Sequence, residues 1–190
     1  MDIIERMNSK QLDVLLKQVE GRALSASEVT AMCGARVIMY EDLAKYSSID
    51  DMLRGDKAIV ILYQSTKYTG HYVALLKKDK LIEFFDSYGL KPDEELQYVA
   101  YNRVPYLTYL LKDAMKTGYR VVYNSTRLQR MRTGINDCGD WAAMRIRMYD
   151  LSQDEFLNIF KGHNIDPDKL VSLMTLLFKY EMPKDKRVIF

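Results

Sequence analysis

Two neighbouring stretches of this chain, His71 to Lys77 and Lys80 to Asp86, are apolar at most positions: His-Tyr-Val-Ala-Leu-Leu-Lys and Lys-Leu-Ile-Glu-Phe-Phe-Asp. A half-solvated strand alternates apolar and polar residues, whereas one that does not alternate is buried on both faces. The two stretches read as a hairpin at the centre of a sheet, and it needs cover on both sides. Lys57 to Gln64, containing Ala58-Ile59-Val60-Ile61-Leu62-Tyr63, reads as another buried strand, and Gly118 to Asn124 as a further one. The cover is supplied by segments of helical period. Residues 8–20 place Leu12, Leu15, Leu16 and Val19 on one stripe and stop at Gly21. Ser25 and Glu28 form a capping pair. A short helix spans Ser48 to Arg54 and ends at Gly55. Residues 93–116 are helical with a break near Pro105. Helices follow over 137–149, 153–161 and 167–180, the last with Pro167 in its first turn and Asp166 as cap. Central strands with helices at both ends predict an α+β fold with a mostly antiparallel sheet, in a single domain over residues 1–190.

Composition excludes several classes. A hydrophobic content of 48% over 190 residues supplies a core for one domain. A net charge of +2 is too small for a nucleic-acid coat. The longest apolar run is far too short to span a membrane. Met1-Asp2-Ile3-Ile4-Glu5-Arg6 lacks the pattern of a signal peptide. The expected setting is a reducing one, in cytosol, nucleus or a particle, because two cysteines, Cys33 and Cys138, are no disulfide framework. Two histidines, His71 and His163, and two scattered cysteines make no Cys/His zinc cluster. There is no phosphate-binding glycine loop or dinucleotide fingerprint.

The hairpin carries chemistry at its open end. If Lys78-Asp79 is the loop, Lys77 faces Lys80 and His71 faces Asp86. Val73 then meets Phe84, and Leu75 meets Ile82. Directly opposed residues share a face with Cβ atoms roughly 4.5–5.5 Å apart, so Asp86 is placed to orient the His71 ring. The alternative is a His–Asp pair that merely caps a sheet edge.

Cys138 lies in Ile135-Asn136-Asp137-Cys138-Gly139-Asp140-Trp141. The helical stripe Trp141, Met144, Arg145 and Met148 puts it on the first turn of a nearly buried helix. Free N–H groups and the dipole favour an anion there. Asp137 and Asp140 oppose a thiolate, which makes His71 its deciding partner. Cys33 lies at a helix end, where the dipole has the wrong sign, and fits a structural role. Gln129 is a candidate oxyanion donor together with the Cys138 N–H; the alternative is a solvated glutamine. Arg127, Arg130, Arg132, Arg145 and Arg147 leave open a non-enzymatic nucleic-acid- or protein-binding module, against a solvated or ion-paired face.

On His71-Tyr72, Phe85-Asp86-Ser87-Tyr88-Gly89, Gln129 and Asp137-Cys138-Gly139, the chain resembles the adenain-like cysteine peptidases, which include SUMO-specific peptidases. The resemblance spans about residues 60 to 150. The run Tyr123-Asn124-Ser125-Thr126-Arg127-Leu128-Gln129 is most similar to maturation proteases of virophages and Maverick/Polinton elements. The resemblance implies a papain-like/adenain-like fold and a Cys138–His71–Asp86 triad with Gln129 as oxyanion donor and no cofactor. It implies cleavage of capsid or other viral precursor polypeptides, in a virion or a viral factory of the host cytoplasm. An activating peptide or DNA is a further partner known in the group. Removal of SUMO or ubiquitin-like modifiers is the alternative activity. The chain departs from the group in Tyr72, where many members have Trp, and in the longer spacing from Gln129 to Cys138. Asn124 and Asn136 are the alternative donors.

Overall fold

The computed structural model describes residues 8–66, 70–99, 103–131, 135–162 and 165–181. Two antiparallel strands, β2 (Ala58–Gln64) and β3 (Gly70–Lys78), form the middle of a five-stranded sheet. β4 (Leu81–Phe85) continues it on one side and β5 (Arg120–Tyr123) lies beyond; β1 (Arg36–Met39) lies outside β2. The β1–β2 and β4–β5 pairs are parallel, and β2–β3 and β3–β4 are antiparallel. The sheet is therefore evenly mixed, not mostly antiparallel. Each parallel pair needs a crossover. The first crossover is built from a 3-10 turn (Tyr40–Lys45) and α3 (Ile49–Leu53), the second from a 3-10 turn (Glu94–Tyr98) and α4 (Tyr106–Lys116).

Both faces of the sheet are covered. Val60, Tyr72, Ala74, Leu76 and Phe85 pack against α2 (Ala26–Cys33), α5 (Cys138–Arg147), α6 (Gln153–Ile159) and α7 (Pro167–Glu181). Ile59, Ile61, Val73, Leu75 and Phe84 pack against α3, α4 and the 3-10 turns. Burying each Val, Ile, Leu or Phe side chain among these contributes about 1.5–3 kcal/mol. Helix α1 (Ser9–Glu20), capped by Asn8, packs on α7.

Two further expectations change. Residues 93–116 are not one helix: Glu94–Tyr98 form a 3-10 turn, and α4 begins only after Pro105, which fixes its own φ and disfavours helix at the preceding residue. The hairpin turn is Asp79-Lys80, with Asp79 in the left-handed region (φ 50°), a conformation aspartate tolerates better than lysine. Lys78 therefore pairs with Leu81, and Leu75 with Phe84. Continued by one residue, this register sets Asp86 across from Val73, not His71. A slip of two residues keeps every side chain on its face, so His71 and Asp86 become diagonal neighbours on the same face.

Candidate active site

Cys138 is the first residue of α5, and residues Cys138 to Ile146 are all buried. The helix lies between β3 and the pair α2 and α7. Gly139 permits this fit: a Cβ there would come within 3.1 Å of Val29 Cγ2 and 3.2 Å of Leu24 Cβ. Arg145 anchors the other end. Its guanidinium donates to both carboxylate oxygens of Glu83 in β4, at 2.6 and 2.7 Å, and to the carbonyls of Met148 and Leu151. Removing one partner of such a buried pair costs about 3–5 kcal/mol. Through it, the helix that carries the thiol is held at a fixed height against the strand that leads to Asp86.

His71 is the second residue of β3 and is 7% exposed. Its Nε2 donates to Asp86 Oδ1 at 2.9 Å. The ring stacks on Tyr88, with centroids 4.4 Å apart and planes inclined by 12°. The Tyr88 N–H donates to the same Asp86 oxygen at 2.7 Å. Burial alone would pull the imidazole down, but the hydrogen bond with Asp86 and the adjacent Cys138 sulfur carry it well above the ordinary histidine value. With Nε2 committed to Asp86, Nδ1 is the nitrogen left for the thiol. It is buried and makes no closed hydrogen bond. Thiol and ring are thus in electrostatic reach without a tight resting contact, as is common before substrate arrives.

A second acid stands here that sequence reasoning missed. Glu95, in the 3-10 turn, is buried with Oε1 3.8 Å from His71 Nε2. Burial pushes its carboxyl up to about 7; the nearby His71 opposes this and Asp86 adds to it.

Gln129 is wholly buried. The backbone N–H groups of Leu128 and Gln129 both donate to Ser87 O at 2.9 Å, and the Ser87 hydroxyl donates to Gln129 Oε1 at 2.7 Å. That bond fixes the amide with Nε2 as the free end, and Nε2 makes no hydrogen bond. Gln129 and Cys138 line one cavity of about 200 Å³, with Tyr72, Tyr88, Ile135 and Asn136. Gly89 permits the approach: its φ is +72°, and a Cβ would lie 2.8 Å from the Thr126 carbonyl carbon.

The alternative donors are engaged elsewhere. Asn124 accepts from Asp86 N at 2.9 Å and donates to Asp86 O at 2.7 Å, extending the β4–β5 pairing so that it grips the backbone of the acid. Asn136 donates to Gly21 O.

Asp137 is buried, and its carboxyl oxygens make no hydrogen bond. Burial, followed by Asp168, Asp140 and Cys138, pushes it up to about 9. It is therefore neutral at pH 7 and does not oppose a thiolate as its residue type suggested. The arginines divide: Arg145 holds Glu83, Arg130 bridges to Asp166 and Asp168, and Arg147 donates to Met32 O and lies over Phe178. Three of the five arginines are thus engaged within the chain. Arg132 and His163 lie outside the described residues.

No protein-family model matches the chain. It is 34% identical over 175 residues to Uncharacterized protein V9 of Sputnik virophage, covering 85% of this chain and 98% of that protein. The chain belongs to the family of that virophage protein. Among solved structures, the ASFV pS273R protease superposes with a TM-score of 0.46 at 16% identity, over 82% of this chain and 67% of that one. The central domain of an uncharacterized Legionella pneumophila protein superposes with a TM-score of 0.40 at 14% identity, over 82% of this chain and 96% of that one.

Proposed function

We propose that the chain is a cysteine endopeptidase that cleaves precursor structural proteins of a virus during assembly. The reading is carried by the two-sided engagement of His71: a carboxylate on Nε2, and a thiol at a helix N-terminus beside the ring. Gln129 supports it, because its amide is fixed by Ser87 and offers a free donor to the cavity that holds the sulfur.

In the reaction, the Cys138 proton already rests on His71 Nδ1, as the raised imidazole favours, and the Cys138 thiolate attacks the scissile carbonyl carbon. Negative charge grows on the carbonyl oxygen, to be held by Gln129 Nε2–H and the backbone N–H of Cys138. The imidazolium returns the proton to the leaving amine as the C–N bond breaks. His71 then takes a proton from water, which hydrolyses the thioester and restores the thiol. Asp86 orients the ring throughout.

The viral setting rests on the virophage relative and on the sequence resemblance to maturation proteases, which also suggests a virion or viral factory and an activating peptide or DNA. Among the described residues no helix is long and apolar enough to cross a membrane. The test is incubation of the purified chain with precursor capsid proteins of its virus. Cleavage is expected from the native chain and none from folded Cys138→Ala. Cleavage of a SUMO or ubiquitin conjugate instead would move the activity to modifier removal, and equal cleavage by Cys138→Ala would refute the peptidase reading.

A further inference from the structure

We infer that His71, Asp86 and Glu95 form a binding site for a zinc-class divalent cation, and that an ion held there switches the proposed peptidase off. The site stands on geometry alone; the switch rests on the peptidase reading.

His71 Nε2 lies 2.9 Å from Asp86 Oδ1 and 3.8 Å from Glu95 Oε1, and one ligand atom from each residue lies within 4.8 Å of the other two. A tetrahedral zinc with bonds of about 2.1 Å asks for ligand atoms about 3.4 Å apart, so the His71–Asp86 and His71–Glu95 contacts must each shift by about half an ångström. All three side chains are buried, and Asp86 Oδ2 and Glu95 Oε1 make no hydrogen bond. Buried carboxylate oxygens without partners need an explanation, and a cation supplies one. Two carboxylates and a neutral imidazole match the charge of a divalent ion. One nitrogen and two oxygens suit Zn²⁺ or Co²⁺, whereas Mg²⁺ and Ca²⁺ favour all-oxygen sets. His71 and Glu95 both line an open cleft of about 580 Å³ with Tyr63, Tyr88 and Tyr98, which gives an ion a route in and a fourth position for water. Tyr88 supplies the outer support, holding Asp86 Oδ1 through its N–H and the imidazole through its ring. The sequence search for cysteine and histidine ligands could not find this set, because two of its three members are acids.

The consequence follows from the tautomer. An ion on Nε2 displaces one of the two protons of the imidazolium and leaves the ring neutral with its other proton on Nδ1. That nitrogen then has no lone pair for the Cys138 proton, so the thiol is not activated.

The test uses the full chain without substrate. Calorimetry with Zn²⁺ should give one equivalent bound, retained in Cys138→Ala. In Glu95→Gln, with its fold verified by circular dichroism, binding should weaken by at least the roughly 10-fold that even outer-sphere changes cost. Co²⁺ bound to the native chain should show tetrahedral ligand-field bands without thiolate-to-cobalt charge transfer. An absence of binding, an unchanged affinity in Glu95→Gln, or binding that vanishes in Cys138→Ala would each overturn the site. A native chain that binds zinc but cleaves no peptide keeps the site and loses the peptidase; one that cleaves but does not bind does the reverse. Where both hold, one equivalent of Zn²⁺ should stop cleavage.

Discussion

The chain contains two Cys-Gly dipeptides, and they sit at opposite ends of helices. Cys33 closes α2, followed by Gly34 in the left-handed region (φ 74°); its thiol donates to Val29 O, and burial pushes it up. Cys138 opens α5 beside His71 and a cavity shared with Gln129. One dipeptide is used for termination and packing, the other at a helix's positive end against an imidazole. The dipeptide itself carries no role; the helix end and the neighbours assign it.

The sharpest way to break this contrast is to remove each sulfur in turn. Cys138→Ala should abolish peptide cleavage, whereas Cys33→Ala should leave it nearly unchanged, both read by turnover of a precursor substrate. Gln129→Ala, which removes a donor but not the nucleophile, should lower kcat by about 100- to 1,000-fold. Asp86→Asn should be milder, roughly 10- to 100-fold, because the retained oxygen can still accept from His71 and only the charge of the bond is lost.

The smallest effect concerns Asp137. Its carboxyl is held near 9 in the fold, against an ordinary value of 3.8. The native state keeps a proton that the unfolded chain releases, so stability falls as pH rises from about 4 to about 9 and levels beyond. Asp137→Asn should flatten that fall and raise Tm at pH 7–8, as thermal unfolding across pH would measure. A steeper fall in the variant would contradict a neutral buried Asp137.

Much of this was legible in the sequence because it rests on periodicity and parity. The unbroken apolar runs gave the two-sided sheet core, and the face shared by His71 and Asp86 survived a register error of two residues. What escaped lies where local pattern is weak. β1 has four residues, only Ile38 of them buried, and shows no alternation to detect. Glu95 was hidden inside a segment that reads as helix, and its role depends on a crossover that brings residue 95 back over His71. Gln129 was named as a candidate donor without a local signature to place it; its placement comes from Ser87, 42 residues earlier in the chain. Its capture shows in the Gly89 turn only once the fold is known.

The central claim is that Cys138, and not Cys33, is activated by His71. It is tested most directly by reacting the native chain and His71→Ala with a peptide-based electrophile and mapping the adduct by mass spectrometry. The account predicts a single adduct on Cys138 in the native chain, slowed strongly in His71→Ala. Modification of Cys33 in preference, or equal labelling of Cys138 with and without His71, would contradict it.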